Sequence, residues 1–163
     1  MRLEDENMGF AVMILILFFI ALALVLMQVG HCFGAGIDVE AIIQIESGGN
    51  PNAYNAKSGA IGLMQITRIA LSEWNEHHPQ QQLNPEDLFD RNINSLVGTW
   101  YLDRIKKHYC KVWKIPPTVE NILIGYNWGV GNLKKWYRQG HIYSKLPYET
   151  RQYLKKYFYI IIL

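Results

Sequence analysis

Hydrophobic positions follow two regimes along the chain. Residues 8–27 contain no charged side chain, and residues 11–27 are wholly Ile, Leu, Val, Phe, Met and Ala. A helix rises about 1.5 Å per residue, so roughly twenty such residues match the apolar thickness of a bilayer. A buried core helix is usually shorter and keeps a polar face. The pattern predicts one transmembrane segment over residues 8–30, after a leader of residues 1–7 and before a linker of residues 31–36. From residue 37 onward, apolar positions recur at helical spacing, and no convincing run alternates as a half-buried strand does.

Within 37–163 the punctuation predicts the elements. A first helix covers about 37–47 and is stopped by Gly48-Gly49 and Asn50-Pro51. Residues 52–59 read as loop. A second helix begins near Gly62, with Leu63, Ile66, Ala70 and Trp74 on one stripe. Residues 77–83 are polar loop, and Asn84-Pro85 is an N-cap followed by proline at the first helical position. A long helix covers about 93–111, and Pro116-Pro117 breaks the chain. Thr118 caps a helix that runs to Trp128 and ends at Gly129-x-Gly131. Short helices around 133–138 and 149–159 complete an all-α domain. About 125 residues suffice for a real core.

Charge and composition add orientation and exclude some classes. The leader sets Arg2 against Glu4, Asp5 and Glu6, a poor signal-peptide start, so the apolar segment reads as an uncleaved anchor. A cleavage site would use the small residues Gly34, Ala35 and Gly36. Cys32 follows His31 rather than the small residue that a lipidation site requires. Beyond Arg2, no Lys or Arg occurs until Lys57, which places the N-terminus inside and the domain outside. The domain holds 15 of the 16 basic and 11 of the 14 acidic residues, about +4. Such a balance suits an anionic polymer but also many proteins that bind none. Five Trp, ten Tyr and six Phe supply flat rings that stack on sugars, although most belong to the core.

Cys32 and Cys110 form no metal-ligand spacing, and Cys110 reads as a buried thiol. His77 and His78 read as solvated loop. Lys106-Lys107, Lys134-Lys135 and Lys155-Lys156 read as solvated helix faces. No phosphate loop, Ser-His-Asp set or nucleic-acid motif is present, and no cofactor is called for. The apolar tail 157–163 is compatible with packing on the domain, contact with membrane, or a partner.

Taken alone, Glu46 reads as an exposed helix-end glutamate without a role, but its surroundings also fit an acid. It ends a helix whose apolar face is Ile42, Ile43 and Ile45; burial there disfavours the carboxylate and raises its pKa. The negative end of the helix dipole pushes the same way. A carboxyl protonated near neutral pH is what a glycosidic oxygen needs as proton donor. Two-carboxylate hydrolysis requires a partner about 5–10 Å away. No Asp or Glu lies between Glu46 and Gln65, and Glu73 and Glu76 belong on the solvent side of the next helix. One glutamate then serves as acid and base, which works when the nucleophile is part of the substrate.

The stretch Glu46-Ser47-Gly48-Gly49-Asn50-Pro51-Asn52-Ala53, followed by Gly59-Ala60-Ile61-Gly62-Leu63-Met64-Gln65-Ile66-Thr67, resembles the soluble lytic transglycosylase (SLT) family. Gly125-Tyr126-Asn127-Trp128-Gly129 and Leu146-Pro147-Tyr148-Glu149-Thr150-Arg151-Gln152-Tyr153 match in order, and Asn92-Ile93, Gly98 and Tyr101-Leu102 fit between them. The resemblance implies a lysozyme-like helical globule with Glu46 as single catalytic acid/base. Its implied substrate is the peptidoglycan glycan strand, cut between N-acetylmuramic acid and N-acetylglucosamine to leave 1,6-anhydro ends.

By the same resemblance, Gln65 lines the cleft, the backbone at Gly59 and Gly62 admits sugar closely, and Met64 forms the floor or packs as a core methionine. Tyr126 and Asn127 face the acid and the N-acetyl groups, and Glu149 helps to bind sugar. Asn55 stands where the family often has serine, in a loop one residue longer than the common form. The implied setting is the bacterial inner membrane with the domain in the periplasm, serving wall turnover or a secretion, pilus or flagellar machinery. A goose-type-lysozyme-like hydrolase and a non-catalytic wall-binding module are the alternatives.

Overall fold

The computed structural model describes residues 36–163. The expected membrane segment, the linker as far as residue 35, and Cys32 lie outside the described residues. Among the described residues, no helix is long and apolar enough to cross a membrane.

Helix α1, Val39–Ser47, forms where the pattern places it. The Asp38 carboxylate accepts from the Ala41 N–H at 3.0 Å, and Gly48 closes the other end in the left-handed region at φ 62°. Ala41, Ile42 and Ile43 are its buried face.

The loop expected over 52–59 is instead the start of a small hairpin. Strands β1, Tyr54–Asn55, and β2, Ala60–Ile61, pair antiparallel with Tyr54 opposite Ile61 and Asn55 opposite Ala60. Strands of two residues are too short to show alternation. The hairpin is closed locally: the Asn55 side chain accepts from the Lys57 and Ser58 N–H groups, and the Asn55 carbonyl accepts from the Gly59 N–H at 2.7 Å.

The second helix also starts later than expected. Helix α2 is Arg68–His77, N-capped by Thr67, whose side chain accepts from the Ala70 N–H at 3.3 Å. Gly62 at φ 76° and Gln65 at φ 49° both occupy the left-handed half of backbone space, which a right-handed helix excludes. Leu63, Ile66, Ala70 and Trp74 are all buried, so the helical-looking stripe comes from a turn and a helix packed on the same core.

Pro85–Phe89 forms a 3₁₀ turn with Pro85 at its start, in place of an α-helix. Asp90 caps helix α3, Arg91–Arg104, accepting from the Asn92 and Ile93 N–H groups. The helix runs on through a π turn, Ile105–Tyr109, into α4, Cys110–Trp113, so the expected long helix is present with one widened turn. Thr118 caps α5, Val119–Trp128, which Gly129 joins to α6, Val130–Arg138. Helix α7, Tyr148–Ile162, closes the domain and packs on α1 and α5. Ile42, Val97, Ile105, Leu123, Ile124 and Leu133 are fully buried at the centre.

Two solvent-side expectations are corrected. Glu73 is only 9% exposed, because α2 lies against α3 and its carboxylate accepts from the Arg104 guanidinium and the Tyr109 hydroxyl. A buried glutamate is tolerable when paired in this way, and burial together with Glu73 pushes the Tyr109 hydroxyl up to about 12. His77 ends α2 rather than lying in a loop, although it is exposed as expected, and the half-buried His78 stacks on Trp74 with ring centroids 3.7 Å apart. Cys110 is buried, and burial raises its thiol pKa.

Candidate active site

The end of α1, the hairpin, the start of α2, the last turn of α3, the end of α5 and the start of α7 surround one cleft of about 190 Å³. Glu46, Asn55, Ser58, Gln65, Tyr101, Tyr126, Asn127 and Glu149 all line it. Residues spread over a hundred positions of sequence thus converge on one opening, with Glu46 on its wall.

The Glu46 carboxyl is pushed up from 4.5 to about 7. Burial is the main cause, as an apolar helix face predicts, and the Glu149 carboxylate in the same cleft adds to it. Tyr153, on the inner face of α7, acts in the opposite direction by favouring the charged form of Glu46. The Tyr153 hydroxyl is buried and has no partner in good hydrogen-bond geometry. Its interaction with Glu46 is therefore one of proximity rather than a well-formed bond. Burial and the nearby Glu46 raise the Tyr153 and Tyr126 hydroxyls far above the usual tyrosine range, so both stay neutral.

The hairpin and the following turn are held by their own polar groups. Gln65 donates its amide to the Ala53 carbonyl at 3.3 Å and the Gly62 carbonyl at 3.1 Å, tying the turn to the start of the hairpin. A non-glycine residue at positive φ is an uncommon arrangement that its surroundings must hold in place. Tyr126 donates to the Met64 carbonyl at 2.8 Å, which joins the end of α5 to the same turn.

Met64 and Gly62 are not among the residues that line the cleft. The Met64 side chain is fully buried, and Gly98 on α3 leaves the space it fills: a Cβ there would come within 2.3 Å of the Met64 sulfur. Met64 reaches the site through its carbonyl. A Cβ on Gly62 would sit 2.2 Å from the Asn94 amide and 2.4 Å from the Leu88 carbonyl, so this glycine admits protein.

Two residues, Asn94 and Ser58, escaped the sequence reading, and two more, Tyr101 and Tyr153, stood there within motifs without a role at the site. Asn94, entirely buried, donates to the Ile61 and Leu88 carbonyls at 2.8 Å each and accepts from the Met64 N–H at 2.8 Å. An asparagine amid the apolar positions of α3 was its only signal. Ser58 brings a hydroxyl to the wall beside Asn55, three residues after the position where the family often has serine. Tyr101 lines the cleft and lies 6.1 Å from Tyr126, centroid to centroid. Tyr153 was visible only as part of a motif.

Comparison with known proteins agrees with this geometry. A family model described as the transglycosylase SLT domain matches residues 38–147. The chain is 36% identical over 104 residues to an endo-type membrane-bound lytic murein transglycosylase A from Cronobacter sakazakii (strain ATCC BAA-894). That match covers 58% of this chain and 48% of the relative, so the chain spans about half the length of the curated relative it matches. No solved structure matches. The matched stretch contains Glu46 and every cleft residue named above except Glu149, and the chain belongs to the transglycosylase SLT domain family.

Proposed function

We propose that this protein cleaves peptidoglycan glycan strands by intramolecular transglycosylation, with Glu46 as acid and then base. The observation that carries the reading is a carboxyl held near a pKa of 7 on the wall of a cleft rich in amides and hydroxyls. Protonated Glu46 gives its proton to the oxygen between N-acetylmuramic acid and N-acetylglucosamine, and the bond from that oxygen to C1 breaks. The substrate's own N-acetyl group shares the positive charge that develops at C1. Glu46, now a carboxylate, takes the proton of the muramoyl 6-hydroxyl, whose oxygen bonds to C1 and closes the 1,6-anhydro ring. The acid is regenerated and no water is consumed.

The supporting residues divide by chemistry. The amides of Gln65, Asn127 and Asn55 and the hydroxyls of Ser58 and Tyr126 match the N-acetyl and hydroxyl groups of the two sugars. Glu149 binds sugar and helps to keep Glu46 protonated. Residues 8–30 anchor the chain in the bacterial inner membrane, with the domain in the periplasm. A single anchored domain of this kind suits wall turnover, or local opening of the wall for a secretion, pilus or flagellar assembly.

The test is mass spectrometry of muropeptides released from purified sacculi, with Glu46→Gln alongside. Products ending in 1,6-anhydro-N-acetylmuramic acid, absent with the variant, are expected. Glu149 in the same cleft is the observation that favours a second reading, a hydrolase using two carboxylates. Reducing ends in place of anhydro ends would establish that reading and overturn the first. Binding to sacculi with no release would assign a wall-binding module.

A further inference from the structure

Helix α7 outruns the core it packs on. Thr150, Tyr153, Leu154 and Tyr157 are its buried face. Past Tyr157 the helix continues with Phe158, Tyr159, Ile161, Ile162 and the following Leu163 at 36, 67, 43, 81 and 90% exposure. Scattered apolar residues on a surface are ordinary, but a contiguous apolar cap at a helix end marks a contact surface.

The order of side chains along that end identifies the contact. Exposed Lys155 and Lys156 come first, then Tyr159, then Ile161, Ile162 and Leu163. Lys155 and Ile162 are seven residues apart, about 10 Å along a helix axis. Charge, then aromatic ring, then aliphatic side chain is the depth order of an element that dips into a bilayer. Lysines reach the headgroups, tyrosine sits at the interface, and aliphatic groups enter the hydrocarbon.

A second observation lies at the other end of the domain sequence. The Asp38 N–H donates to the Tyr157 hydroxyl at 2.7 Å across 119 positions of sequence. The polypeptide therefore enters the domain on the same turn of α7 from which the apolar cap departs.

We infer that the apolar end of α7 inserts into the membrane that holds the anchor, so that the domain is attached at two points. The inference rests on the anchor reading of residues 8–30. Its partner is a lipid surface with anionic headgroups, and its consequence is a fixed stance. Glu149, on the cleft wall, lies at the other end of α7, about 20 Å along the helix axis from Ile162.

The experiment uses the full chain with Cys32→Ser, reconstituted into phosphatidylethanolamine–phosphatidylglycerol vesicles. An environment-sensitive fluorophore is placed at Ile162→Cys or, separately, at Lys57→Cys in the hairpin beside the cleft. The label at position 162 is expected to be quenched by doxyl-labelled acyl chains and shielded from aqueous iodide, with the reverse at position 57. A label at 162 open to iodide, in vesicles that retain the chain through carbonate washing, overturns the insertion while leaving the anchor intact. Loss of the chain to carbonate overturns the anchor reading and the two-point attachment with it. Shielding from iodide without lipid quenching, together with cross-linking between chains, assigns the cap to a second copy and overturns the lipid partner.

Discussion

At the residue scale, the proposed chemistry turns on a carboxyl whose pKa burial raises to about 7. In that reaction Glu46 enters as an acid, so kcat/KM is expected to fall as pH rises through about 7, where the carboxyl ionises. Replacing it with glutamine removes the proton donor and is expected to lower cleavage by about 10²–10⁴-fold or more. Its neighbours pull its pKa in opposite directions. Tyr153→Phe removes an interaction that favours the carboxylate and is expected to move the alkaline limb to higher pH. Glu149→Gln removes a like charge and is expected to move it to lower pH. pH–rate profiles of the two variants on the same soluble glycan check the pair, and shifts of the same sign would contradict the account of Glu46.

At the scale of elements, the cleft depends on a hairpin and a turn too small to hold themselves. The side chain of Asn94 does that work, joining β2, the Gly62–Gln65 turn and the 3₁₀ turn to α3. Asn94→Ala leaves two carbonyls and one N–H unpaired in the interior, at about 1–3 kcal/mol each. A loss of about 3–5 kcal/mol is expected from urea unfolding, a large share of a domain's typical margin. Two glycines of this region separate backbone strain from packing. Gly59 and Gly62 both have positive φ, but a Cβ on Gly59 meets open space and one on Gly62 meets Asn94 and Leu88. Gly59→Ala is expected to cost about 1–2 kcal/mol from strain alone, and Gly62→Ala clearly more. Equal costs in thermal melts would mean that the Gly62 contact relaxes freely.

At the scale of the whole molecule, the raised Glu46 pKa is also a stability term. A carboxyl shifted from 4.5 to about 7 on folding binds its proton more tightly in the folded state. Its stabilising contribution is fully present below about pH 4.5 and is lost as pH rises through about 7, at which point up to about 3 kcal/mol has gone. Glu46→Gln carries no such charge. The variant is expected to melt higher than the parent at pH 8 and together with it at pH 4. A difference that persists at pH 4 would assign the effect to shape rather than charge.

Sequence alone determined what local and pairwise rules control. Helix positions followed from apolar spacing, from the cap Thr118 and from the glycines after Ser47, because backbone ends must be satisfied where they occur. Membership of the SLT family was legible because its motifs are contiguous and ordered. Tertiary structure decided what depends on approach from distant elements. The turn at Gly62–Gln65 reads as helix until Asn94 and Leu88 close on Gly62. Glu73 reads as solvated until α3 brings Arg104 and Tyr109 to it. Tyr101 and Ser58 reach the cleft, and Tyr153 reaches Glu46, only when four separate elements meet around that glutamate. The shift of Glu46 had a direction in the sequence, from the isoleucines beside it. Its extent required the fold, because desolvation depends on every atom that excludes water and not on neighbours along the chain.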